Sequence, residues 1–61
     1  MKSSELLRIL RKDGWYEKRQ KGSHIIMVHP VKTNFLVVPN HGSAEVNTGL
    51  QKDIMKKAGL L

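Results

Sequence analysis

Cysteine is absent from the 61 residues, which excludes disulfides and a thiolate zinc site as staples for the fold. That absence accords with the cytoplasm, the expected location. Aromatic residues are nearly absent too: Trp15, Tyr16 and Phe35 are all there are, and at least one is needed for the core. So few argue against an oligonucleotide-binding barrel or an RRM-type surface, where several aromatics stack on successive bases. Long apolar runs are missing; the longest, Ile25–Val28 and Phe35–Val38, fall far short of the ~20 residues that span a bilayer. Ser3, Ser4 and Glu5 interrupt the basic start at once, so no signal-peptide core is expected there. The chain also lacks internal repeats, low-complexity tracts, a nucleophile elbow and a glycine-rich phosphate cradle.

Acidic residues are scarce: five Asp and Glu stand against eleven Lys and Arg, a formal charge of +6. So large a charge on so short a chain favours a polyanionic partner, either nucleic acid or an acidic protein surface. No membrane partner is expected. The length makes residues 1–61 one domain with one thin core. It leaves no room for a cleft between lobes, so any catalysis must come from a few side chains on an open surface.

Residues 3–13 read as a helix, with Ser3 or Ser4 as its cap, Leu6, Leu7, Ile9 and Leu10 as its apolar side, and Gly14 as its stop. Its basic residues Arg8, Arg11 and Lys12 either form a solvated face or lie along a phosphate backbone. Residues 15–20 form a weak strand, and Lys21-Gly22-Ser23 a turn. A second strand runs from His24 to about His29, four consecutive apolar residues carrying it into a buried sheet. Residues 30–33 turn the chain again, with Asn34 a candidate for positive φ, and Phe35–Val38 form a third strand ended by Pro39. After a polar loop over residues 40–47, Thr48 and Gln51 stand in the spacing of a capping box. Leu50, Ile54 and Ala58 supply one face of the second helix, and Gly59 and Leu60 its C-terminal signal. The fold class is therefore α+β: α-β-β-β-α, a three-stranded antiparallel sheet with two helices on one face and the other face open.

Three histidines offer the only obvious chemistry. His24 and His29 are five residues apart on one strand and so point to opposite faces, and His41 sits in a distant loop; no metal site is expected. General acid–base chemistry on RNA passes the same filter. RNA carries its own nucleophile, the 2′-hydroxyl, and a histidine can move protons near neutral pH while nearby cations stabilise the phosphate. His24 follows the Gly22-Ser23 turn, and Lys18, Arg19, Lys21 and Lys32 flank its strand or the adjoining turns. The plainer reading is that His24 merely ends a strand on a polar face.

An ordered set of short motifs bears on that choice. Met1-Lys2-Ser3-Ser4-Glu5-Leu6-Leu7, Lys12-Asp13-Gly14-Trp15, Lys21-Gly22-Ser23-His24, His29-Pro30, Val38-Pro39-x-His41-Gly42, Glu45 and Gly49-Leu50 through Gly59-Leu60 together resemble the HicA toxin family along essentially the whole chain. The chain departs from many members at Ile25, Met27 and Ala44. The resemblance implies a double-stranded-RNA-binding-domain-like fold and a toxin of a type II toxin–antitoxin system: an mRNA interferase, an endoribonuclease that needs no metal and no cofactor. It implies His24 as the catalytic residue, with Gly22 and Ser23 before it matching the family's motif; Lys18, Arg19, Lys21, Gly22, Ser23 and Lys32, placed around that strand and its turns, are the candidate RNA-binding residues. The implied partners are single-stranded mRNA and a HicB-type antitoxin that covers His24. The toxin would be a monomer alone and a hetero-oligomer with the antitoxin. A non-catalytic basic RNA-binding module of the same fold is the alternative. The nearly uncharged first turn Thr48-Gly49-Leu50 speaks against a strong duplex binder.

Overall fold

Along the middle strand, burial alternates: Ile25 and Met27 are buried, Ile26 and Val28 partly covered, and His24 exposed. In the computed structural model, which describes residues 1–61, this alternation separates a covered face from an open one. The element order is α1 (Ser3–Asp13), β1 (Tyr16–Lys21), β2 (His24–Val28), β3 (Leu36–Pro39) and α2 (Thr48–Lys57), the expected α-β-β-β-α. The sheet is antiparallel in the order β1-β2-β3. Only half of the apolar run on β2 enters the core, because a strand facing one layer of helices buries alternate residues.

Ile25 faces Val38 and Met27 faces Leu36, so all four stand on one side of the sheet. They pack with Leu6, Leu7 and Leu10 of α1, Ile54 and Ala58 beside α2, and Trp15 and Val46. Burying each of the larger side chains contributes about 1.5–3 kcal/mol. Trp15 precedes β1 rather than starting it and belongs to this core, while all six β1 residues are exposed. Leu50 was expected on the buried face of α2 but is 43% exposed, because α2 reaches the sheet only through its later turns.

Both helices end on the same device. Gly14 N–H donates to Arg11 O and Trp15 N–H to Leu10 O; at α2, Gly59 N–H donates to Lys56 O and Leu60 N–H to Met55 O. The helix starts differ from expectation. Ser3 does not cap α1: its hydroxyl is buried, donating to Pro39 O and accepting from His41 N–H. The loop after β3 supplies the cap instead, Ala44 O accepting from Ser3 N–H and Gly42 O from Ser4 N–H. At α2 the cap is Asn47, whose Oδ1 accepts from Gly49 and Leu50 N–H, so Thr48 and Gln51 form no capping box.

A polar clasp closes the end of the molecule where the two helices finish. Lys32 Nζ donates to Asp13 Oδ2 at 2.7 Å and to Ala58 O, one ammonium serving both helix C-termini. It also lies 5.7 Å from the centroid of the Trp15 ring. His29 meets Trp15 edge to face, with ring centroids 5.2 Å apart. Its Nδ1 accepts from the Val31 and Lys32 N–H groups and its Nε2 lies 2.9 Å from Asp13 O, to which an Nε2–H donates. Asn34, expected at positive φ, has no such backbone; its side chain donates to Lys57 O at the end of α2. The Lys32 hydrogen bond is the largest influence holding the Asp13 carboxyl below its ordinary value of 3.8, ahead of the opposing cost of desolvation. The buried Trp15 Nε1–H adds a small pull on this carboxylate without completing a hydrogen bond.

Two outcomes follow from the clasp. Gly14 has φ 113, and a Cβ there would lie 2.8 Å from His29 Nε2, so strain and collision combine. Gly14→Ala should cost about 2 kcal/mol or more in denaturant unfolding; a variant as stable as the parent would contradict the close packing. Because the folded Asp13 pKa is depressed, its contribution is present above 3.8 and lost as pH falls through the lower folded value. The stability advantage of wild type over Asp13→Asn should therefore hold near neutrality and shrink below pH 3.8. An advantage unchanged in acid would show that the ion pair contributes nothing.

Candidate active site

Gly22 and Ser23 join β1 to β2 with nothing between them and the strands, so Lys21 and His24 are the first pair of the hairpin, directly opposite each other. The turn needs a residue at positive φ in its first position, and Gly22 supplies it at φ 61, as a type II′ turn requires. Gln20 Nε2 donates to Gly22 O at 2.9 Å and Asn40 N–H to Ser23 O at 2.7 Å, fixing the turn from both sides. His24 follows immediately, between Lys21 on β1 and Pro39 on β3. Residues opposite one another share a face, which puts Lys21 and His24 on the open side with Cβ atoms about 4.5–5.5 Å apart.

The neighbouring rungs extend the surface. Arg19 faces Ile26, and Ile26 faces Val37, so a cation and two aliphatic side chains follow the Lys21–His24 pair along the open face. The register slips between Glu17 and Arg19, leaving Lys18 as the unpaired residue of a bulge. This bulge and the charges of β1 also discourage another chain from pairing with that edge.

Two open grooves adjoin this face. One, of ≈ 800 Å³, runs from His24 along β3 to α2 and includes Phe35, Val37, Leu50, Asp53 and Lys57. The other, of ≈ 720 Å³, lies beyond Phe35 and includes Lys18, Arg19, Ile26, Val28 and Lys32. Of the residues singled out from the sequence, Lys21, Gly22, Ser23 and His24 come together at the hairpin tip. Lys18 and Arg19 stand further along the sheet, and Lys32 is drawn into the clasp. Lys57, Leu50 and Phe35 had no sequence signal as site residues. They reach the His24 groove only through the packing of α2 beside β3.

The three imidazoles occupy three different settings. His24 is exposed on the sheet, His41 is exposed in the loop after β3, and the His29 ring is held in the clasp. An exposed imidazole with a lysine across the strand can exchange protons with a ligand on the open face and meet a negative charge there. His29 can do neither while both of its nitrogens are engaged by the backbone.

Similarity to known proteins gives the chain's family. The model of the family described as the HicA toxin of bacterial toxin–antitoxin systems matches residues 3–60. A protein of Pseudomonas fluorescens (strain Pf0-1) named a probable mRNA interferase HicA is 40% identical over 60 residues, which cover 98% of this chain and 97% of that relative. With its motifs in order, its α-β-β-β-α fold and a family match over nearly its whole length, this chain belongs to the HicA toxin family.

Proposed function

We propose that this toxin is a metal-independent endoribonuclease that cuts single-stranded mRNA and so arrests translation, with His24 as its general acid–base residue. The observation that carries the reading is His24 itself: exposed at the tip of the β1–β2 hairpin, on the open sheet face, with Lys21 directly across the strand. The name of the Pseudomonas relative, a probable mRNA interferase, supports the same activity. In the reaction His24 removes the proton of a 2′-hydroxyl while that oxygen bonds to the adjacent phosphorus. The bond from phosphorus to the 5′-oxygen breaks, and a proton passes to the departing oxygen. The products are a 2′,3′-cyclic phosphate and a free 5′-hydroxyl, and no oxidant or metal is needed to balance the step.

Lys21 neutralises the phosphate as its charge becomes crowded, and Arg19 and Lys18 hold the strand further along the sheet. Around Gly22 a Cβ would meet nothing within 4 Å, so the Gly22-Ser23 turn leaves room for the RNA backbone beside His24. Lys32 lines the second groove, but its ammonium is committed to Asp13 and Ala58, so it contributes field rather than a direct contact. A HicB-type antitoxin inhibits by occlusion, presenting acidic residues to this face in a hetero-oligomer, whereas the free toxin is a monomer.

With EDTA present, wild type should cleave a defined single-stranded mRNA and His24→Ala should not, while both keep the same circular dichroism spectrum. Cleavage by His24→Ala would end the assignment. Binding without cleavage by both proteins would favour the non-catalytic RNA-binding module. On the same RNA, Lys21→Ala should lower the slope of log affinity against log salt by about 0.7, as one lost phosphate contact on a single strand does; an unchanged slope would remove Lys21 from the phosphate. Diethyl pyrocarbonate should modify His24 in the free toxin and spare it in the antitoxin complex. Equal modification in both would rule out occlusion.

A further inference from the structure

Phe35 is a large apolar side chain for which the fold has no use. It is 61% exposed and takes no part in the core cluster or in the partly buried apolar residues packed against it. Its setting is nevertheless specific, because it borders both grooves of the open face. On one side lie His24 and the Lys57–Asp53 ion pair, and on the other Lys18 and Arg19. Burial alternates from Phe35 to Val38, with Phe35 and Val37 exposed and Leu36 and Val38 buried, so Phe35 stands on the same face as His24. Pro39 pairs with His24, and Phe35 lies four residues before it, about 13 Å along the strand at ~3.3 Å per residue. Tyr16, the other exposed aromatic, borders neither groove.

We infer that Phe35 is a stacking platform for one nucleobase of the RNA substrate, at a nucleotide near the one cut at His24. The inference rests on the ribonuclease reading and adds a base subsite to it. An aromatic ring between Lys21, across the strand from His24, and the unpaired Lys18 and Arg19 suits a single strand. Its phosphates are drawn to charge on either side while a base lies against the ring, a contact open to every base because each has a π-face. The separation from His24 assigns the stacked base to a nucleotide near the scissile one and not to the scissile nucleotide itself. Phe35 therefore governs where the strand is gripped, not the proton transfer.

The test uses a short fluorescein-labelled single-stranded RNA spanning a cleavage site mapped with wild type. Binding is read by anisotropy in the His24→Ala background, so that cleavage does not intervene. Adding Phe35→Ala should weaken binding by about ten- to hundred-fold, the usual loss for a stacking aromatic, and Phe35→Trp should restore it. Phe35→Leu should not. An abasic nucleotide placed at successive positions should erase the difference between Phe35 and Ala at one position only, near the cleavage site. In the active protein, Phe35→Ala should raise KM much more than it lowers kcat.

Equal binding by Phe35 and Ala would overturn the inference and leave the ribonuclease reading intact. Full rescue by Leu, or a loss indifferent to abasic positions, would overturn it as well, since apolar contact alone would then explain the effect. Unchanged RNA binding with lost neutralisation by the antitoxin would reassign Phe35 to the protein partner. Failure of wild type to bind or cut any RNA would instead bring down the ribonuclease reading itself.

Discussion

The register of β2 is the constraint on which both fold and site depend. Ile25 and Met27 must face the helices, so His24, Ile26 and Val28 must face outward. A slip of one residue would bury His24 and expose half of the sheet's contribution to the core. The two-residue turn at Gly22-Ser23 sets that register from one side, and the pairing of Ile25 with Val38 and Met27 with Leu36 sets it from the other. The proposed catalyst thus needs no cleft to hold it. It is fixed by the same alternation that makes the core, which is how so short a chain can present one side chain in a defined place.

The histidines illustrate how setting divides labour among identical side chains. His29 lies on the covered side of the sheet, and its nitrogens are spent on the backbone of Asp13, Val31 and Lys32. Together with Lys32 and Trp15 it ties both helix ends to the loop before β3, remote from the hairpin tip. The chain's charge is divided in a similar way. Lys32 is consumed internally, Arg11 pairs with Glu17 and Lys57 with Asp53, while Lys18, Arg19 and Lys21 make no ion pair and keep their charge for a ligand.

What could be read from the sequence was whatever depends on local pattern: the helix at residues 3–13, the hairpin around Gly22, the glycine signals ending each helix, and His24 as the residue after the turn. What could not be read depends on distant backbone. Ser3 looked like a cap, but the loop at residues 42–44 reaches back to take its N–H, which frees the hydroxyl for Pro39 and His41. Thr48 looked like a cap because its spacing to Gln51 was right, yet Asn47, one residue earlier, has the stronger preference and the geometry. Leu50 follows the helical period of the buried face but stays 43% exposed, bordering the groove between α2 and β3. Phe35 sits in a continuous apolar run, and only the alternation of β3 shows it facing outward. The cations nearest His24 in sequence were legible, whereas Lys57 needed the packing of α2.

On the proposed reading, the size of the molecule also bears on how it is restrained. Its accessible surface is 4108 Å². A standard protein interface takes roughly 800 Å² from each partner, about a fifth of that total. The sheet has one open face, which holds His24, Lys21, Arg19 and, at its margin, Phe35, so RNA and a covering antitoxin claim the same ground. Two partners that need the same residues exclude one another by geometry, without a conformational change in the toxin. On that reading, a core this thin, with its residues committed to one register and one clasp, is controlled by covering the site and not by rearranging it.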